Sequence, residues 1–118
     1  MSFAEVLVNQ SSLTKRQLES LLSYLRVVSG EIKLKEAASR TSKGAVTVGS
    51  YYRTVGQARK NLRNAIVTML IGLWSGAVKP EDVRRLLDLA GAAPLRLTGD
   101  ERQRFVGVLE SLLDRMIL

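Results

Sequence analysis

Apolar residues recur along most of this chain at the spacing of an α-helix, and short polar or glycine-containing breaks divide them into segments. The firmest segment begins at Thr14, where Thr14 and Gln17 match a capping box, and Gly30 is placed to end it. A short helix or arm over residues 2–10 is expected to precede it. The inward positions predicted for the firm segment are Leu18, Leu21, Leu22, Leu25 and Val28.

The middle of the chain predicts a short helix, a turn and a long helix. Residues 32–40 fit the short helix, with Ala37 and Ala38 facing inward, and the polar run around Gly44 fits the turn. Thr47 is a good N-cap for the long helix, which extends to about Trp74, a residue expected to be packed. Its stripe of predicted inward positions is Tyr51, Val55, Ala58, Leu62, Ala65, Ile66, Met69, Leu70 and Leu73.

Two further helices are expected towards the C terminus. Pro80 and the two acidic residues after it suit a first helical turn, and Gly91 is placed to end that helix. Thr98 and Glu101 form a second capping box for the last helix. The inward positions are Val83, Leu86, Leu87 and Ala90 in the first of these helices, and Phe105, Val108, Leu109, Leu112, Leu113 and Met116 in the second.

Strands are hard to place in this sequence. The only short candidates are residues 6–8 and 95–97, neither has a hairpin turn signal beside it, and a small wing near Leu95 is left open. The pattern therefore predicts an all-α fold of about five helices, forming a single domain over residues 1–118.

Composition removes several classes of function. The 118 residues include no cysteine and no histidine, which excludes thiolate and imidazole chemistry, the commonest metal ligands among them. Glu81, Asp82, Asp100 and Glu101 lie in the first turns of their predicted helices. A carboxylate at that end of a helix is stabilised by the helix dipole, so no catalytic role is needed to account for these residues. We therefore expect no enzyme, no metal and no cofactor. No apolar run reaches the roughly 18 residues that span a bilayer, so the expected location is the cytoplasm.

The net charge of +7 is concentrated in the middle third of the chain. Between Glu36 and Glu81 there is no acidic residue, whereas the basic residues of that interval are Arg40, Lys43, Arg53, Arg59, Lys60, Arg63 and Lys79. The rest of the chain has equal numbers of basic and acidic residues, eleven of each. Such a concentration favours a polyanionic partner.

Projecting the long helix at about 100° per residue separates its apolar stripe from a polar and cationic face. That face comprises Ser50, Arg53, Thr54, Gln57, Lys60, Asn61 and Asn64, with Arg59 and Arg63 on one flank and Tyr52 at the margin. A helix face that contacts only solvent usually carries both Glu and Lys, which pair with each other, whereas this face has no carboxylate. Arg and Gln side chains read base edges in the DNA major groove, and a Tyr hydroxyl can contact phosphate.

The segment from Glu31 to Leu62, with its run TVGSYYR, resembles helix-turn-helix regulators, and especially the small basic DNA-binding proteins of crenarchaea. The resemblance implies duplex DNA binding, with DNA-facing positions at Thr47, Ser50, Tyr51, Arg53, Thr54 and Gln57. Ala38 and Val46 lie eight residues apart, so the turn is longer than is usual for the motif.

The expected function is that of a sequence-specific, double-stranded DNA-binding transcriptional regulator. Arg53 and Gln57 are expected to contact bases, and the phosphate ligands are expected to be Arg40, Lys43, Arg59, Lys60 and Arg63. The alternatives are an architectural chromatin protein with little base preference, and a helical module that binds RNA or an acidic protein. A homodimer is expected through the C-terminal helices, although their apolar residues from Phe105 to Ile117 would equally serve packing within one chain.

Overall fold

The computed structural model describes residues 3–92 and 97–118, which form six α-helices and a 3-10 helix without any strand. The all-α fold predicted from the sequence is thus confirmed. The candidate strand at residues 6–8 is instead helical, and the candidate strand and wing around Leu95 lie outside the described residues. The helices are α1 (Phe3–Leu7), a 3-10 helix (Val8–Gln10), α2 (Lys15–Val28), α3 (Leu34–Ser39), α4 (Val48–Ser75), α5 (Pro80–Ala92) and α6 (Gly99–Met116).

The helix ends follow the local chemistry of the sequence. The Thr14 hydroxyl accepts from the Gln17 amide and the Gln17 side chain accepts from the Thr14 amide, both at 3.1 Å, which confirms the capping box. Gly30 adopts a positive φ of 81° just after α2, where side chains other than hydrogen are disfavoured. Gly91 does not end α5, which continues to Ala92, because a glycine permits a helix to stop without requiring it.

The contacts divide the chain into two compact units. The basic unit is Val8–Asn64, and the C-terminal unit is Ala65–Leu118 together with Met1–Leu7. Helix α4 contributes residues to both. The single domain predicted from the sequence stays a prediction, and each unit has buried residues of its own.

The core of the basic unit forms where α3 and α4 pack together. Ala37, Ala38, Tyr51 and Val55 are all buried there, as predicted. The Tyr51 hydroxyl donates to the Ser20 carbonyl at 3.1 Å and also bonds the Ser23 hydroxyl, so its polar end is satisfied. The partly buried residues packed against this core are Tyr24, Val27, Ile32, Leu34 and Val46.

Helix α2 is rotated relative to the expected leucine stripe. Leu22, Leu25 and Val28 are exposed, so their predicted burial is wrong. The face turned inward contains Ser20 and Tyr24, because hydrogen bonds from Tyr51 select a polar and aromatic side of the helix rather than its most apolar side.

The C-terminal unit buries Leu97 and three α6 residues, Leu109, Leu112 and Met116. The end of the chain is tied to the α4–α5 connection by backbone hydrogen bonds, from the Lys79 amide to the Met116 carbonyl at 3.0 Å and from the Leu118 amide to the Ala77 carbonyl at 3.1 Å.

Asp82 is a buried charged residue of the C-terminal unit. Its carboxylate accepts from Arg85 Nη1 at 2.7 Å and lies 3.4 Å from Arg115 Nε. Its place in the first turn of α5 suits the helix dipole, as the sequence suggests, and the contact with Arg115 also joins α5 to α6.

Several apolar positions predicted to be inside the C-terminal half of the chain are exposed. Trp74 is almost fully exposed, and so, to lesser degrees, are Leu62, Ala65, Ile66, Met69, Leu70, Leu87, Ala90 and Val108. The packing of α4 within its unit uses the side that carries Gly72, where a Cβ would lie only 2.6 Å from the Val78 side chain. On the opposite side of the helix, Ile66, Leu70 and Trp74 are exposed.

Candidate nucleic-acid interface

The charge of the protein divides unequally between the two units. The basic unit has eleven Lys and Arg residues against three Glu, a net charge of +8, whereas the C-terminal unit has seven against eight, a net charge of −1. The positive charge seen in the sequence is therefore confined to one compact part of the structure.

Each carboxylate of the basic unit has a partner away from the outer face of α4. Glu31 pairs with Arg26 at 3.2 Å, and Glu36 pairs with Arg40 at 3.1 Å. Glu19 accepts hydrogen bonds from the amide and the hydroxyl of Ser42, each at 2.6 Å. Among the ion pairs of the described residues, Arg40 is therefore the one predicted phosphate ligand that a carboxylate already holds.

The outer face of α4 lies opposite the buried Tyr51 and Val55. Its exposed members are Arg53, Gln57 and Lys60, and Arg59 and Arg63 are exposed on its flank. We call these five residues, with Gly56, the cationic α4 face. In the described part of the chain, no ion pair joins these cations to a carboxylate. Their charge is thus available to a ligand in solution.

Gly56 opens this face to a ligand. Gly56, Arg59, Lys60 and Arg63 line a shallow depression of about 320 Å³, because the glycine presents backbone where its neighbours present long side chains. A Cβ built on Gly56 meets nothing within 4 Å, so the space above it is open. The sequence also indicates this arrangement, because Gly56 precedes Arg59, Lys60 and Arg63 by three, four and seven residues, which places all four on one side of the helix.

Some residues predicted to face DNA are turned inward. Tyr51 is only 2% exposed, so the role that the resemblance implies for it is wrong. Ser50 and Thr54 are half-buried, and the Thr54 hydroxyl donates to the Ser50 carbonyl at 3.3 Å. The Asn61 side chain donates to Gln17 Oε1 at 2.8 Å and to the Ser12 carbonyl at 3.2 Å, so it is turned toward α2 and away from the outer face.

Thr47 precedes the first turn of α4, and Tyr52 lies at the margin of the cationic α4 face. The Thr47 hydroxyl accepts from the Ser50 amide at 3.1 Å, which is the N-cap interaction expected of it. Tyr52 is half exposed, and its ring meets that of Tyr24 edge-on at 6.0 Å. The electrostatic interaction with Tyr24, followed by a side-chain hydrogen bond with it, raises the pKa of Tyr52 above its ordinary value. A tyrosine hydroxyl can donate a hydrogen bond to a phosphate.

The long turn between α3 and α4 folds back on itself. Thr41 and Gly44 form an isolated bridge, with Gly44 at a φ of 89°, and the Val46 amide then donates to the Ala38 carbonyl at 2.9 Å. The extra residues are thus taken up by a small loop, and Val46 still packs on the core. Lys43 is exposed in this loop.

Comparison of the chain with protein-family models, with curated proteins and with solved structures found no match. Among the helices of the described residues, none is both long enough and apolar enough to cross a bilayer.

Proposed function

We propose that the basic unit binds double-stranded DNA and that the protein is a sequence-specific transcriptional regulator. The observation that carries this proposal is the cationic α4 face, an exposed surface with four cations, a glutamine and no carboxylate. Among common cellular ligands, duplex DNA matches it because phosphate contacts need cations, and a helix face of this width fits the major groove.

In this proposal α3, the turn and the first half of α4 act as a helix-turn-helix. Arg53 and Gln57 contact base edges, since Arg pairs with guanine and Gln with adenine through two hydrogen bonds each. Arg59, Lys60 and Arg63 contact phosphates, with Lys43, Thr47 and Tyr52 as further phosphate ligands. Arg40 joins them only by exchanging its ion pair with Glu36 for one with phosphate.

Selection of bound sites from a random duplex pool, repeated with Arg53→Ala and Gln57→Ala, tests the proposal. We expect the wild-type protein to enrich a defined site, and each variant to lose discrimination at one base position by about 1–3 kcal/mol. Lys33→Ala, an exposed cation outside α4, is the matched control and should leave the selected site unchanged.

The architectural alternative predicts a different result from the same experiment. Binding without an enriched site, and a small uniform loss of affinity in both variants, would favour an architectural chromatin protein. If single-stranded RNA or an acidic peptide displaced the duplex at equal concentration, the preferred ligand would not be DNA and the proposal would fail.

A further inference from the structure

The second half of α4 presents a contiguous apolar surface that nothing covers in the described part of the chain. Its residues lie on two neighbouring rows of positions four apart, and we call them the apolar α4 face: Ile66, Val67, Leu70, Ile71 and Trp74. Trp74 is 87% exposed, Ile66 70% and Leu70 63%. The chain has no charged residue from Ala65 to Val78.

This face has the dimensions of a protein interface. The exposed fractions of its five residues, applied to ordinary side-chain areas, give roughly 600 Å² of apolar surface, which is near the roughly 800 Å² that each partner of a stable complex buries and at the upper limit of what monomers expose. A helix that is apolar over so much of its circumference is normally buried. An apolar area of this size favours a partner surface of similar size and character.

We propose that a second copy of this chain covers the apolar α4 face. Rows of side chains four apart interdigitate with identical rows on another helix, so the face is complementary to itself. In an antiparallel pair centred on Leu70, Ile66 of one copy lies opposite Trp74 of the other. A partner with a strongly acidic or basic surface would have no opposite charge to pair with on this face.

Charge also favours association through this unit. The C-terminal unit has a net charge of −1, so two copies meeting there repel each other little, whereas two basic units at +8 would repel strongly. The sequence predicts a homodimer through the C-terminal helices, whereas this proposal places the contact between the two copies on α4. The reason is that Leu109, Leu112 and Met116 of α6 are already buried within their own unit. Self-association through α4 does not depend on the proposed binding of DNA.

The single tryptophan of the chain gives a direct measurement. Sedimentation velocity and Trp74 fluorescence should be followed over a dilution series of the full chain and of Leu70→Glu. We expect a dimer whose Trp74 emission is blue-shifted and protected from acrylamide, and a dissociation constant raised at least about 100-fold in Leu70→Glu, which places like charges at the two-fold axis. Circular dichroism should show that this variant keeps its helices.

Leu87→Glu is the matched control, because Leu87 is a leucine of the same unit with nearly the same exposure, 67% against 63% for Leu70. It should dimerise like the wild type. Since the chain has no cysteine, Leu70→Cys should in addition form a disulfide-linked dimer on oxidation, and Leu87→Cys should not.

Three outcomes would overturn the proposal. One is a wild-type chain that stays monomeric at high concentration, and another is equal dissociation by Leu70→Glu and Leu87→Glu. The third is a monomer whose Trp74 emission shifts only on addition of phosphatidylcholine vesicles, which would make a lipid surface the occupant. Each result is separate from the DNA proposal, since a monomeric Leu70→Glu retains the whole cationic α4 face.

Discussion

The two halves of α4 differ in the chemistry of their exposed side chains. In the basic unit the stripe that contains Tyr51, Val55 and Ala58 is buried by α2 and α3, and the outward side is cationic. In the C-terminal unit α4 packs through the side that carries Gly72, and the exposed residues on its opposite side, among them Ile66 and Leu70, are apolar and have no charge beside them. The apolar spacing of a helix thus identifies residues that need burial. The charge of its outward residues indicates what kind of partner surface suits them. The difference predicts that substitutions in the two units have separable effects on binding and on stability.

The largest effect is expected from the charges of the cationic α4 face. Replacing Arg59, Lys60 and Arg63 together by Gln should weaken duplex binding about 100-fold at moderate salt, because three phosphate contacts are lost. Fluorescence anisotropy with a labelled duplex measures this change.

The matched control for that experiment replaces three exposed arginines of the C-terminal unit, Arg84, Arg102 and Arg104, by Gln. This control variant should bind the duplex within a few-fold of wild type. Equal losses in the two triple variants would mean that net charge alone, and not the α4 face, determines binding.

Loss of the buried charge in the C-terminal unit should have the next largest effect. Asp82→Asn removes the carboxylate that Arg85 and Arg115 share and should lower the free energy of unfolding by about 2 kcal/mol, a moderate value because both arginines remain half exposed to water. Urea denaturation measures the loss. Duplex affinity of the folded variant should be unchanged, and a parallel fall in affinity would contradict the separation of the two units.

Tyr51→Phe should destabilise the basic unit in a similar but smaller way. The variant keeps the ring in the core but leaves the Ser20 carbonyl without the hydroxyl donor, at a cost of about 1 kcal/mol. Thermal denaturation measures the cost. If Tyr51 instead contacted DNA, as the resemblance implies, the folded variant would bind the duplex more weakly than wild type.

The smallest effect is expected at Gly56. Gly56→Ala meets no steric obstacle and should stabilise α4 by up to about 1 kcal/mol, while the added methyl group partly fills the depression between the cations. We therefore expect a higher melting temperature together with a few-fold weaker duplex binding. A variant that is both more stable and binds as well as wild type would mean that no ligand group approaches the Gly56 backbone.

Much of the fold could be predicted from local patterns. The caps at Thr14, Thr47 and Thr98 lie where the sequence places them, because each depends on residues only three positions apart. The burial of Tyr51 also follows from helical spacing, even though the family resemblance implies the opposite.

The remaining features depend on contacts that are distant in sequence. Nothing near Leu22 or Leu25 indicates that Tyr51 would hydrogen-bond Ser20 and turn the other side of α2 inward. The same holds for Asn61, whose side chain looks free on a projection of α4 but reaches Gln17, 44 residues earlier. The exposure of Trp74 could not be predicted, because an apolar residue has the same helical spacing whether or not its own chain buries it.

The dependence of duplex affinity on salt tests the central claim most directly. The slope of log K against log salt should be measured for the wild type and for the variant with Arg59, Lys60 and Arg63 replaced by Gln. If these three side chains neutralise phosphates, the slope should become less negative by about 2.7 in the variant, at about 0.9 for each lost contact. An unchanged slope, or wild-type binding that does not depend on salt, would contradict the assignment of the cationic α4 face as the DNA-binding surface.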